Sequence, residues 1–200
     1  MIRSDRDGDI LTLTIDRADK ANSLTAGMLA DLIGAVRDAG DLRLLVLTAT
    51  GDKVFSAGAD LEEARAGLAT SPLWEQLSGV VEQVPCLTVA ALNGTLAGGA
   101  FGMALACDIR LSVPGASFFY PVAKLGFLPQ PSDPIRMARL IGPARTKLVL
   151  AGGARLDAGE ALAFGLIDRI TPDPVAAARD LAVGKADHVA AIKAMVPRHP

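Results

Sequence analysis

Hydrophobic positions along this chain recur with two periods, two and about 3.6, and the switches between them mark out its elements. From Ile10 to Ile15, Leu11, Leu13 and Ile15 share one face and Thr12 and Thr14 the other, which predicts a half-buried strand. Asp16 to Leu24 is polar and irregular, a loop. Thr25 is placed to cap a helix whose stripe is Leu29, Leu32, Ile33 and Val36, with Gly40 as the stop. Leu44 to Leu47 is a short continuous apolar run, the pattern of a buried strand. Thr50 to Asp60 has no period and predicts a loop. A helix through Trp74, Leu77, Val81 and Val84 ends at Pro85, and Cys86 to Leu92 predicts a second buried strand. After the Asn93-Gly94 turn, Gly98-Gly99 open an apolar segment that reads as a buried helix.

Ile109 to Val113 is a further strand, turned by Pro114-Gly115. The segment from Phe118 to Pro134 contains four prolines and one glycine and predicts mostly irregular chain. Asp133-Pro134 has the form of an N-cap followed by proline at the first helical position, for a helix that runs through Ile141 to Gly142. Another helix spans about Pro143 to Ala151. Asp157 and Glu160 make a capping box for a helix stopped by Gly165, and Leu166 to Ile170 is the final strand. The alanine-rich tail, Val175 to Val196, is helical with little apolar bulk for a core of its own. Strands alternating with helices make this an α/β chain, and residues 1–200 form one domain.

Composition narrows the function classes. Half of the 200 residues are apolar and 21% charged, which excludes disorder as a general state. A net charge of −2 without any basic run gives no electrostatic case for nucleic acid or an anionic membrane. No apolar run reaches the ~18–20 residues of a membrane span, and the charged N-terminus is no signal peptide. Cys86 and Cys107 both lie in apolar segments, so a reducing, cytoplasmic setting is expected, with Cys107 a small buried hydrophobe. His188 and His199 stand far from any ligand cluster, so no metal is expected.

Gly98-Gly99 is the first candidate for chemistry. Glycines at a helix start leave backbone N–H groups unshielded, where an oxygen carrying negative charge can sit. The alternative is a helix start whose glycines only permit close packing. Three stretches bear on the choice: FSAGAD (Phe55 to Asp60), NGTLAGGAFGMALACD (Asn93 to Asp108) and the proline-rich segment at 118–129. With Asp16-Arg17, Asn22-Ser23-Leu24, Gly142, Ala161 and Gly165 to Ile167, they occur in the order and spacing of the crotonase, or enoyl-CoA hydratase/isomerase, superfamily. The chain resembles that family from residue 8 to about 195.

The resemblance implies a ββα spiral with C-terminal helices, here a core at 8–170 and a short helical tail at 171–200 that ends before the family's last helical region. It also implies a homo-trimer or dimer of trimers, and an acyl-CoA thioester as substrate or ligand with no separate cofactor. Carried over by motif position, the backbone N–H groups of Ala59 and Gly99 hold the thioester oxygen; such a donor is worth ~10²–10³ in rate elsewhere. The coenzyme A surface falls on Lys20, Ala21 and Ser23 and on Ala57, Gly58, Asp60 and Leu61, with Lys20 either a phosphate contact or a solvated surface lysine.

The family's two acids are the departure. Their positions carry Gly102, three residues after Gly99, and Val122, which follows Pro121. Neither transfers a proton, and general acid–base groups contribute ~10²–10⁴-fold each. The expectation is thioester binding with little or no hydratase activity. The alternatives are decarboxylation, hydrolysis, dehalogenation or C–C cleavage using Asp133 or Tyr120, or an ordinary enoyl-CoA hydratase of fatty-acid metabolism. On local sequence alone Asp133 reads first as a helix N-cap, Tyr120 as core packing, and Asp60 and Glu62 as helix-start residues. Trp74 reads as core, the alternative being that its helix flanks an acyl pocket.

Overall fold

Every residue of β3 (Leu44–Ala49) is buried, which explains an apolar run without alternation: both faces of its sheet are covered. In the computed structural model, which describes residues 1–196, β3 lies within a six-stranded sheet. Its companions are β1 (Ile2–Asp7), β2 (Ile10–Ile15), β5 (Leu87–Leu92), β7 (Ile109–Ser112) and β10 (Arg169–Ile170), in the order β1-β2-β3-β5-β7-β10. Only β1–β2 is antiparallel. Leu45, Leu47 and Ala49 enter the main core, whereas Leu44 and Val46 join a smaller cluster with Val89, Ala91, Leu111 and Ala178.

A second sheet runs in the order β4 (Val54–Ser56), β6 (Thr95–Ala97), β8 (Ser117–Phe119), β9 (Arg155–Asp157), with β9 alone antiparallel to its neighbour. Each strand has three residues, too few for a period of two to register. The stretches expected to be irregular at 50–60 and from 118 therefore contain β4 and the end of β8. The chain visits the two sheets in turn and then a helix: β3, β4, then α2 (Leu61–Arg65) and α3 (Leu73–Gln83); β5, β6, then α4 (Phe101–Ala106); β7, β8, then α5 (Val122–Leu125) and α6 (Asp133–Leu150). Each turn lays one strand beside its predecessor in both sheets, which is the ββα spiral expected. Phe55 and Phe118 of the second sheet and Phe101 of α4 are fully buried in the main core. Truncating one such ring costs ~3–5 kcal/mol.

Local signals hold where they are local. Thr25 caps α1 (Ala26–Arg37) by accepting from Met28 N–H, although α1 closes at Arg37, before Gly40. Asp157 and Glu160 form the capping box of α7 (Ala158–Phe164), and Gly165 ends it. Gly142, at φ 78 and ψ 162, breaks α6 into the two helices expected. β1 escapes the sequence reading because it is a polar edge strand, five of its six residues being exposed. The tail is less separate than its composition suggests. α8 (Pro174–Arg179) covers the outer face of the first sheet through the fully buried Ala178. α9 (Ala186–Met195) is fastened by Lys193 Nζ, which donates to the carbonyls of Val84 and Cys86 and pairs with Asp108 at 2.6 Å. Residues 197–200, including His199, lie outside the described residues. Among those described, no helix is long and apolar enough to cross a membrane.

Candidate functional site

The parallel strands β4, β6 and β8 finish at one edge of the second sheet, where three loops leave it together. Ser56 stands opposite Leu96 and Ala97 opposite Phe119, so Ala57, Gly98 and Tyr120 begin their loops side by side. Between them is a cavity of about 160 Å³ walled by Ala57, Ala59, Gly98, Gly99, Tyr120 and Val122, with Trp74 behind. Cavities of about 150 Å³ lined by apolar groups hold a benzene-sized guest. Small side chains on two of the loops bring backbone, rather than side-chain atoms, to the wall.

Hydrogen bonds fix the first loop. Ser56 Oγ donates to the Asn22 carbonyl (2.8 Å) and accepts from Gly58 N–H (3.2 Å). Ala57 N–H donates to the Ala21 carbonyl, Leu24 N–H to the Gly58 carbonyl and Asp60 N–H to the Leu24 carbonyl. The amides on both sides of Ala59 are thus engaged, while its own N–H has no acceptor among the described residues. Gly99 lies in the first turn of a 3₁₀ helix, Gly98–Ala100, where amides lack intrahelical partners; among the described residues it too has no acceptor.

Gly58 joins the two loops. At φ +91 it adopts a backbone conformation that costs other residues dearly, and a Cβ there would stand 3.1 Å from the Ala97 carbonyl oxygen and 3.4 Å from Gly99 N. Behind Gly99, a Cβ would meet the Trp74 ring at 3.1–3.3 Å. That indole is itself tethered, Nε1 donating to the Leu68 carbonyl at 2.8 Å. Two unengaged amides from touching loops at an apolar wall favour an oxygen that carries negative charge.

Asp133 corrects the sequence reading. It is the first residue of α6 and caps nothing. The acceptor at that helix start is Glu75 of α3, which takes hydrogen bonds from Ser132 N–H (2.9 Å) and Ser132 Oγ (2.8 Å). Relieved of that duty, the Asp133 side chain turns inward and is fully buried. Its Oδ2 accepts from the Tyr120 hydroxyl at 2.8 Å, and its Oδ1 has no partner among the described residues. A Cβ on Gly102 would lie 3.0 Å from that Oδ1. Tyr120 is core, as expected, stacked on Phe101 with centroids 5.4 Å apart, but it is also cavity wall.

Burial pushes the Asp133 carboxyl up to about 7; Tyr120's hydrogen bond opposes the rise, Glu75 adds to it and Arg136 opposes it. An aspartate in the unfolded chain ionises near 3.8. From about pH 4 to 7 the unfolded state has therefore released a proton that the folded state still holds, and stability falls as pH rises through that window. Asp133→Asn is expected to be more stable than wild type at pH 8, by on the order of 4 kcal/mol, and so to melt higher there, and to converge with it near pH 4. A wild type that melts higher at pH 8 would contradict this.

The remaining sequence candidates divide. Leu61 reaches the cavity mouth, 75% exposed. Lys20 is exposed on a 3₁₀ turn, and Ala21 holds a left-handed φ of 51. Ser23 Oγ accepts from Arg17 Nη1 (3.2 Å), and the same guanidinium pairs with Asp60 at 2.8 Å. Arg17's hydrogen bond, then the helix N–H of Glu63, hold the Asp60 carboxyl below its ordinary range while it caps α2. Lys20, Ala21, Ser23 and Asp60 all stand outside the cavity lining, and Gly102 and Asp133 lie behind its Tyr120 wall. Leu125, Phe127 and Leu128 complete the mouth. They escaped the sequence reading, though an exposed apolar run among prolines is a usable signal. Burial raises the thiols of Cys86 to about 11 and Cys107 to about 12, as suits inert core residues. Among the described residues no group of three or more His, Cys, Asp or Glu is placed to hold a metal.

Comparison with known proteins gives a consistent picture. The pattern of the enoyl-CoA hydratase/isomerase family matches residues 5–198. A carnitinyl-CoA dehydratase from Citrobacter koseri is 37% identical over 172 residues, 82% of this chain and 66% of that protein. Bacillus subtilis YngF is 34% identical over 80% of this chain and 64% of its own length. The chain thus spans about two thirds of these relatives. Among solved structures, an enoyl-CoA hydratase from Bacillus anthracis superposes with a TM-score of 0.87 at 30% identity, covering 96% of this chain and 81% of that one. Pseudomonas aeruginosa DspI gives 0.88 at 28%, covering 96% and 84%.

Proposed function

The chain belongs to the enoyl-CoA hydratase/isomerase family, and on that footing we propose that it binds an acyl-CoA thioester, with the acyl group in the cavity and the carbonyl oxygen between the Ala59 and Gly99 amides. The observation that carries this reading is the pair of unengaged N–H groups on two loops that touch through Gly58. Fixed backbone donors stabilise an oxygen best when charge grows on it, as it does when a thioester is enolised or attacked. The coenzyme A moiety crosses the mouth past Ala57, Gly58 and Leu61 toward Lys20, Ala21 and Ser23. Asp60 contributes backbone there, since its carboxylate is already bound to Arg17 and the start of α2.

In this reading the family's two acids are replaced by Gly102 and Val122, so the site grips and polarises a thioester without activating water. The Tyr120–Asp133 bond favours thioester chemistry of another kind over pure binding. The proposal is tested by thermal unfolding with butyryl-CoA against free coenzyme A. At a hundredfold excess over Kd, ligand linkage supplies ~2.7 kcal/mol, which for a chain of this size raises the midpoint by about 5–11 °C. No shift with any acyl-CoA would remove the proposal.

A further inference from the structure

We propose that Tyr120 and Asp133 form a proton relay to the α-carbon of the bound acyl group, Tyr120 exchanging the proton with the ligand and Asp133 holding it on the far side. This rests on the thioester reading above. Tyr120 is the wall residue whose hydroxyl is bonded at 2.8 Å to a carboxylate that solvent does not reach. A tyrosine buried only for packing needs one acceptor, and a backbone carbonyl suffices. Here the acceptor is a full carboxylate with one oxygen, Oδ1, left unpaired in the interior, an arrangement that costs free energy. Such costs concentrate at functional sites.

Gly102 belongs to the same device. With a Cβ placed only 3.0 Å from Oδ1, any side chain at 102 would press on the Asp133 carboxylate. A side chain at 102 and the buried carboxylate of Asp133 therefore compete for the same space. The charged and titratable groups that face Asp133 are Tyr120 from the loop after β8, Glu75 of α3, and Arg136 one turn along α6; α4 presents only Gly102. Arg136 is paired with Glu82, and Glu75 is engaged by Ser132. With its carboxyl near 7, Asp133 populates both states at neutral pH, as a relay terminus must.

The step needs no co-reactant. With Asp133 ionised, the α C–H bond breaks and its proton passes to Tyr120 Oη as the phenolic proton moves to Asp133 Oδ2. The C–H electron pair becomes an enolate whose oxygen rests on the Ala59 and Gly99 amides. Reversal returns a proton to the α-carbon, and that proton is a solvent one once the pair has exchanged through Tyr120, its member that lines the cavity.

The experiment incubates the whole chain with butyryl-CoA in D₂O and follows α-deuterium by mass spectrometry, with the dissociation constant measured in parallel by calorimetry. Wild type is expected to exchange well above the buffer rate, rising with pH through an inflection near 7. Tyr120→Phe is expected to lower the rate at least 10²-fold with affinity changed less than about threefold. Asp133→Asn, which acts through Tyr120, is expected to slow exchange and abolish the inflection. Exchange at the buffer rate while butyryl-CoA binds, or exchange that survives Tyr120→Phe, would overturn the relay alone. Failure of butyryl-CoA to bind would overturn the thioester reading and the relay with it. Should Asp133→Asn not fold, Tyr120→Phe still decides.

Discussion

Crotonyl-CoA offered to this protein is expected to hydrate at least ~10⁴-fold more slowly than on a hydratase with two acids, because a water-activating and a proton-delivering group contribute ~10²–10⁴ each. Neither Gly102 nor Val122, which the proposed reading puts at those two positions, does either. The structure further predicts that the obvious repair fails. Gly102→Glu would build its Cβ 3.0 Å from Asp133 Oδ1 and bring a second carboxylate against one that is already fully buried. Like charges at such range cannot both ionise without a large penalty. Gly102→Glu with Val122→Glu is therefore expected to remain inactive and to lose stability. Adding Asp133→Ala clears the space, and hydration is expected to rise at least 10²-fold over wild type. Loss of enone absorbance measures all three proteins. Wild-type turnover like that of an ordinary hydratase would refute the argument from the missing acids.

Gly58→Ala is expected to weaken butyryl-CoA binding by about 10–10²-fold and free coenzyme A, which passes the same residue, by distinctly less. Two effects combine. An L-residue at φ +91 costs roughly 1–2 kcal/mol, which lowers the melting midpoint by several degrees. The new methyl also presses on the Ala97 carbonyl and Gly99 N, both backbone, so the two loops must part. A displacement near 1 Å in a positioned group can cost ~10²-fold. The contrast between thioester and free coenzyme A, read by calorimetry, separates loss of the carbonyl site from general damage. Equal weakening of both ligands would refute the role given to Gly58.

Apart from its polar edge strand β1, the first sheet was legible because its buried strands β3 and β5 are continuous apolar runs and β2 alternates. Helix caps at Thr25 and Asp157 were legible because they depend on residues three apart. The second sheet was not, and it is the one that builds the cavity. Strands of three residues carry no period, and their pairing is set by the spiral rather than by local propensity. Asp133 shows the same limit from another side. Asp-Pro is sound local grammar for a cap, but Glu75, distant in sequence, takes the capping role and frees the carboxylate for Tyr120. Ala59 and Gly99 came from the family resemblance. That Trp74, Leu125 and Phe127 share a cavity with them could only follow from the packing of α3 and of the chain after β8.

Butyryl-CoA labelled with ¹³C at its thioester carbonyl puts the matter to a direct test by infrared difference spectroscopy of the bound ligand. Two amide donors on the carbonyl oxygen weaken its double bond, so the labelled band is predicted to move to lower frequency on binding to wild type, with a smaller shift in Gly58→Ala. A ligand that calorimetry shows to be bound, with its carbonyl band at the position it has in water, would contradict the assignment of Ala59 and Gly99.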